Sequence, residues 1–487
     1  MRMLPVSRRC RFAVILAALA APASAVAQTP IVGPPVRIDQ GGTSAANETT
    51  AAASAFNPNV AIGGWNDWRA SGASEVIRSA FSLTFDGGQT WSDVIVRPPA
   101  PNQSGVEGDP MTAFDDRTGA LWAGAISFTG NGGVYVARLD PGETTFEPTV
   151  MARVTGGADK CWMAAGPDYL DPEETIVYIA YNQGLLRSTT MGDTWAGPFP
   201  FGGGGIGYLP RIGPAGELYV AYWDFGDGLE LKRSFNGGTS FTTHTIATRM
   251  DTWGTQDGSR FPGTFRVPPL VYFDVDPNDG ALYAVYFDTT NVVLGNSNVD
   301  IYFTRSVDQG TTWSTPVVMN NDTFRPGDQF FTWIETDAGG GLHVVAFDSR
   351  HVAQNDGTTN GMFDAYYYYS NDHGNTWQEF RLTPDSWNSD DDGLDRPQQF
   401  IGDYLGLAVA GRHAYPVYLD MSNGDPDVYT NVIVIPGSPD LDGDGSVGPA
   451  DLAILLAAWG SDDFDADLNG DGIVDAEDLA ALLSAWT

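Results

Sequence analysis

Two stretches near the end of the chain carry oxygen-bearing side chains at metal-ligand spacing. Asp440-Leu441-Asp442-Gly443-Asp444-Gly445-Ser446 runs on to Asp451, and Asp467, Asn469, Asp471, Gly472 and Asp478 repeat the pattern 27 residues later. Acids or amides stand at positions 1, 3, 5 and 12 of each stretch, with glycine at 6. A hard cation takes about six to eight oxygens from a sharply turned loop, and Ca2+ is the ion this donor set suits. Ser446 and Ile473 stand at position 7, where a main-chain carbonyl joins the set. Acidic turns that bind nothing are the alternative, and two full ligand sets weigh against it. Behind each stretch follow Leu452, Leu455, Leu456 and Trp459, then Leu479, Leu482, Leu483 and Trp486. Their spacing predicts two helices, each with one apolar stripe.

A second set of charged residues recurs through the main body, at the edges of apolar runs. It comprises Glu107 with Asp109, Asp159 with Lys160, Arg211, Arg266, Asp328, and Asp403 beside Tyr404. Asp67 with Arg69, Asp224, Asp288, and Asp348 with Arg350 sit at the opposite edges. Acids and arginines that converge make a ligand site, but ion-pair networks and turn caps produce the same pattern residue by residue. Other chemistries lack their residues. The five histidines form no H-E-x-x-H pair, and there is no G-x-S-x-G elbow or P-loop. The acidic stretch from Asp385 to Asp395 reads as a solvated loop rather than a further calcium site.

The elements that position these residues must come from a chain of 487 residues with 25 Lys and Arg against 61 Asp and Glu. A formal charge of −36 repels phosphate backbones and anionic membrane surfaces, so nucleic acid is not expected as a partner. With 42% apolar and 12% aromatic residues the chain has the material for a core. Residues 1–27 read as a cleaved secretory signal: Arg8, Arg9 and Arg11, an apolar run from Phe12 to Ala21, then Ala25-Val26-Ala27. The run is too short for a membrane anchor, and no later stretch is long enough to span a bilayer. Export predicts a secreted, periplasmic or cell-surface protein. Cys10 leaves with the signal, so Cys161 cannot form an intramolecular disulfide and reads as a buried, inert thiol.

Seven apolar runs share one pattern: Val60–Asp67, Ala120–Ser127, Thr175–Asn182, Glu217–Asp224, Ala281–Asp288, Gly341–Asp348 and His413–Asp420. Runs rich in Val, Tyr, Trp and Phe with no polar face are strands covered on both sides. Glycine- and proline-rich turns separate them, and helical periodicity is absent before about residue 449. Sheets of about four strands stacked face to face around an axis explain such burial, so the fold class is all-β, a β-propeller. The last unit is one strand short, and Pro35–Gln40 is placed to supply it and close the ring.

A second motif follows most of the runs. Thr84-Phe85-Asp86-Gly87-Gly88-Gln89-Thr90-Trp91 recurs as Ser306 to Trp313 and Ser370 to Trp377, with weaker copies at Ser188 to Trp195 and Ser234 to Phe241. Asp140-Pro141-Gly142 with Phe146 is a decayed sixth. This pattern, S-x-D-x-G-x-T-W, resembles the Asp-box, and residues 31–436 resemble the BNR/Asp-box, sialidase-like propeller superfamily. Seven units predict seven blades, with the six of true sialidases as the alternative. The resemblance implies that the boxes lie at the blade periphery, so Asp86, Asp308 and Asp372 are structural. The tail, residues 437–487 after Pro436-Gly437-Ser438-Pro439, resembles a dockerin type I domain. That implies calcium binding and docking onto a cohesin module of a scaffold protein, or an attachment signal.

A sialidase-like enzyme would need an arginine cluster to grip a carboxylate, a tyrosine nucleophile polarised by a glutamate, and an acid/base aspartate. Phe265-Arg266-Val267-Pro268 resembles the F-R-I-P motif, and Leu209-Pro210-Arg211-Ile212 is similar to it. Arg266 follows at least three Asp-boxes, however, where the family places its motif before the first. The candidates are Tyr404 as nucleophile, Glu335 or Glu107 as its partner, Asp109 or Asp67 as acid, and Arg211, Arg266 and Arg350 or Arg396 as the grip. The expectation is a secreted glycan-active protein, a sialidase-like exo-glycosidase of glycoconjugates or polysaccharides. A non-catalytic carbohydrate- or protein-binding propeller is the alternative, and the seven-unit count favours it. Convergence of the three arginines beside Tyr404 decides between them.

Overall fold

A computed structural model describes residues 29–41, 45–54, 57–68, 77–103, 105–128, 131–250, 265–293, 296–322, 327–351, 362–394, 399–442, 446–461, 463 and 465–487. The signal-like segment 1–27, Arg69, Arg396 and Asp444 lie outside the described residues. Seven antiparallel sheets form the body, six of them built of consecutive strands, and the chain is a seven-bladed β-propeller. Their first strands are Ala46–Ala53, Glu107–Asp115, Trp162–Asp168, Ile206–Ile212, Tyr272–Val275, Gln329–Thr336 and Gly406–Ala410, in blades 1 to 7. Each of these first strands contacts the next around the ring, and the seventh contacts the first. Blade 7 is completed by Ile31–Arg37, which pairs antiparallel with Asp427–Val434. The closing strand thus begins ahead of the expected Pro35.

All seven apolar runs are second strands, and the described ones are buried on both faces. The boxes join third to fourth strands at the rim. Asp308 accepts from the Thr312 amide (2.8 Å) and hydroxyl (2.7 Å), while the Ser306 hydroxyl accepts from the Gly310 amide (2.9 Å). Asp86 and Asp372 repeat this arrangement. The Thr312 hydrogen bonds draw the Asp308 carboxyl down to about 2. A carboxylate so engaged is a turn staple rather than a proton donor.

Four of the five turns are also latched by an arginine to the blade before them. Arg138, Arg187, Arg233 and Arg305 donate to the carbonyls of Met191, Gly237, Gln309 and His373 at 3.0, 2.7, 2.8 and 3.1 Å. The acceptor is always the fourth box residue, whose backbone is left-handed and so turns its carbonyl outward. The fifth residue, always glycine, presses against the same neighbour.

Behind the propeller, Pro449–Ala457 and Ala476–Ser484 are the only helices of more than one turn among the described residues. They pack through Leu455, Leu482, Val447, Leu468 and Val474. Neither is long and apolar enough to cross a membrane. Of the predicted stripe, Leu455 and Leu482 are buried, but Leu456, Trp459, Leu483 and Trp486 stay 51, 46, 51 and 41% exposed. Two short helices have one facing side each, and four residues of each stripe are too many for it.

The latch is testable at its glycine. A Cβ on Gly374, at φ +80, would stand 2.3 Å from the Phe303 ring of blade 5. Gly424 has a similar φ of +97 and open space around it. Gly374→Ala is expected to cost about 2–4 kcal/mol by overpacking and strain, and Gly424→Ala about 1. Denaturant titration of both variants checks this, and equal losses would mean the contact does not matter.

Candidate functional site

The first strands all run in one direction, so their starts converge at one mouth of the axis and their ends at the other. At the starting mouth the strands are bulged. Register slips fall between Asn47 and Thr50, Gly108 and Met111, Ile206 and Leu209, and Phe330 and Trp333. Glu48, Asp109 and Phe331 sit in these slips with φ of 54, 48 and 51°, and Lys160 reaches 52° just ahead of blade 3. Left-handed backbone at a bulky residue costs of order 1–3 kcal/mol, and a bulge re-aims a side chain. Here the left-handed residues Glu48, Asp109 and Lys160 reach one cavity of about 810 Å³.

Beneath it lies Asp403, buried and shared by two cations. Arg266 engages it bidentately, with Nε to Oδ1 at 2.6 Å, and the Lys160 ammonium bonds its Oδ2. Lys160 also meets Glu48 at 3.2 Å, and the Lys160 amide donates to Asp109 Oδ2 at 2.6 Å. Gly402 is required for this approach, since at φ +90 a Cβ would lie 2.6 Å from the Glu48 nitrogen. Burial would push Asp403 up, but Lys160 and Arg266 hold it at about 2. Glu48 goes the other way: burial, with Asp109 and Asp403 nearby, pushes its carboxyl well up despite Lys160.

Of the residues singled out from sequence, Glu107, Asp109, Asp159, Lys160, Arg266, Asp403 and Tyr404 meet around this mouth. Tyr404 is buried against Trp162 (5.3 Å between centroids) with Lys160 over its ring (5.2 Å). Its hydroxyl has no hydrogen-bond partner among the described residues, and burial pushes its pKa well up. It is therefore not poised as a nucleophile. Arg211 and Glu335 lie at the opposite mouth, because they come at the ends of their strands rather than the starts. Arg211 joins Glu335 (2.5 Å) and Asp274 (3.0 Å) there. Arg350 sits at the end of a second strand, bonded to Asp348 (2.8 Å) and Glu379 (2.5 Å). The structure does not bring the three arginines together.

Sequence reasoning missed Glu48. Its strand, Ala-Asn-Glu-Thr-Thr-Ala, has no bulky apolar residue to flag it. Counting one strand back from each apolar run would have found it, as the same count lands beside Asp109 and Lys160. Cys161 is buried and unbridged, and burial pushes its thiol well up.

In the tail, Asp440, Asp442 and Asp451 offer carboxylate oxygens all within 4.8 Å of one another. In the second loop Asp467 accepts from the amides of Gly470 (2.7 Å) and Gly472 (2.8 Å), which turns the chain back on itself. Asp451 and Asp478 cap their helices and accept the loop amides of Leu441 and Leu468, both at 2.7 Å. Asn469, Asp471, Ser446 and Ile473 lie on the same loops, and oxygen donors in this order suit Ca2+.

The opposite mouth carries its own titration. Burial and Asp274 push Glu335 up to about 8, against the pull of Arg211. Folded protein therefore holds a proton that unfolded chain releases near 4.5, and stability falls as pH rises between these values. Glu335→Gln is expected to flatten that fall across pH 5–8 in thermal melts. An unchanged slope would place the titration elsewhere.

No family model matches the sequence, and no curated protein matches it. Among solved structures it resembles a protein of unknown function from Dyadobacter fermentans, with a TM-score of 0.48, 13% identity, and 83% of this chain and 99% of that one covered. It also resembles the Hadza microbial sialidase Hz136, with a TM-score of 0.44, 17% identity, and 63% of this chain covered. The chain spans 64% of that sialidase's length. The NanB sialidase of Streptococcus pneumoniae follows, with a TM-score of 0.42, 13% identity, and 82 and 70% of the two chains covered.

Proposed function

We propose that the protein is an exported glycan-binding propeller, held to a larger assembly by a calcium-loaded, dockerin-like tail. The observation that carries the reading is the starting mouth. A cavity of about 810 Å³ has the size of a small-ligand site, and aromatic rings of Trp68, Phe128 and Phe400 stand among polar groups in its wall. Rings beside hydrogen-bonding groups suit the apolar faces and hydroxyls of sugars. The sialidase version loses support for two reasons: Arg266, the arginine in the wall of this mouth, is engaged bidentately by Asp403, and Tyr404 is buried. A hydrolase of another kind keeps one specific support, because burial pushes the Glu48 carboxyl well up beside Asp109. That pair fits a general acid with a second carboxylate.

The tail's support is its repetition. Leu456 and Leu483, and Trp459 and Trp486, are exposed pairs 27 residues apart, so the two halves present equivalent apolar spots. A cohesin-type partner would cover one of them, and calcium would order the loops that carry both.

Two experiments test the reading. The calcium-loaded protein is expected to bind a glycan on an array and to leave aryl glycosides, α-sialosides included, uncleaved. Phe128→Ala should weaken binding roughly tenfold, about 1.4 kcal/mol. Turnover that Glu48→Gln abolishes would put the hydrolase first instead. Chelation is expected to unfold residues 440–487 and open the Pro436-Gly437-Ser438-Pro439 link to protease, while the β signal in circular dichroism persists. Loss of that β signal would overturn the division into propeller and calcium tail.

A further inference from the structure

The wall of the starting mouth is rich in acceptors and short of donors. Four carboxylates line it, those of Glu48, Glu107, Asp109 and Asp159, against two cations, Lys160 and Arg266. Both cations are committed to Asp403 beneath. Glu107 is buried, and neither of its oxygens receives a hydrogen bond among the described residues. The guanidinium nitrogens of Arg97 and Arg78, 3.7 and 3.8 Å away, pair with its charge but stand too far to hydrogen-bond its oxygens. Asn66 adds a third such acceptor. Its amide nitrogen donates to Glu48 (2.7 Å) and Asn47 (3.1 Å), which fixes its orientation and leaves its buried oxygen without a donor.

Buried acceptors without donors cost of order 1–3 kcal/mol each, and a ligand that supplies donors recovers that energy. An ammonium brings three N–H donors and a positive charge, and it lies well against aromatic rings. A carboxylate brings neither, adds a negative charge beside Glu107, Asp109 and Asp159, and approaches against a chain charge of −36. We propose that the starting mouth takes a hydroxyl-rich ligand bearing a protonated amine, an amino-sugar unit, and excludes acidic sugars. This inference rests on the glycan-binding reading and names the ligand class of the same cavity.

The test is calorimetric titration of the full-length protein, with calcium, against three oligosaccharides of equal length. They are chitosan oligomer, its N-acetylated counterpart and oligogalacturonate. The amine is expected to bind at least tenfold tighter than the acetamide, with no binding of the uronate. Glu107→Gln should lower amine affinity about tenfold and so narrow or abolish the preference for amine over acetamide. Asp159→Asn, at a half-buried position, should act in the same direction if Glu107→Gln fails to fold. Equal affinity for amine and acetamide, or preference for the uronate, overturns the inference and leaves the glycan-binding reading standing. No binding of any of the three, by folded protein, overturns both.

Discussion

The structure depends on the closure of its ring. The strand Ile31–Arg37 pairs with Asp427–Val434, joining residues some four hundred positions apart, and leaves blade 7 with four strands like the others. Pro34 and Pro35 lack the amide that a paired inner strand would need, and they are tolerated because this strand is the outermost of its blade. Arg37 secures the join through Asp39 and Asp427, each at 2.5 Å. A closed ring fixes the tilt of every blade, and only then do seven strand starts point at one place. Asp403 of blade 7 can meet Glu48 of blade 1 and Lys160 of blade 3 for no other reason.

Rim and axis divide the work. At the rim, five boxes repeat one turn, and four arginines tie successive turns to the preceding blade. Those arginines stand immediately before the strand's end, and they appear only where the following blade carries a box. Blade 6 has Tyr369 there and blade 1 has Leu83, and neither is followed by a full box. Such a rim is stiff. Stiffness allows the axial ends of the strands to hold left-handed backbone at Glu48, Asp109 and Lys160, which would relax in a looser frame.

The axis settles the charge balance. One buried carboxylate, Asp403, absorbs both cations of the starting mouth, so the cavity above it presents acids. The same residue types, with Asp403 elsewhere, would present a guanidinium and an ammonium and suit an anion. At the opposite mouth Arg211 lies between Asp274 and Glu335, and Glu335 is pushed up to about 8. In both places the local count of charges, rather than the identity of any one residue, decides what the group does.

Much was legible in the sequence. Two-sided burial of seven apolar runs follows from their composition, because no polar face is available for water. The boxes follow from Asp, Gly and Trp at fixed spacing, since that chemistry is complete within eight residues. The loop spacing around Asp440 and Asp467 is local in the same sense. What the sequence could not decide was which charged residues share a mouth. Arg211 and Arg266 carry similar neighbours in the chain, yet one lies at a strand's end and the other ahead of a strand's start, so they face opposite openings. Glu48 went unseen because its strand is built of small residues. Convergence at an axis is set by strand direction, bulge and ring closure, which act between blades, and no local pattern records it.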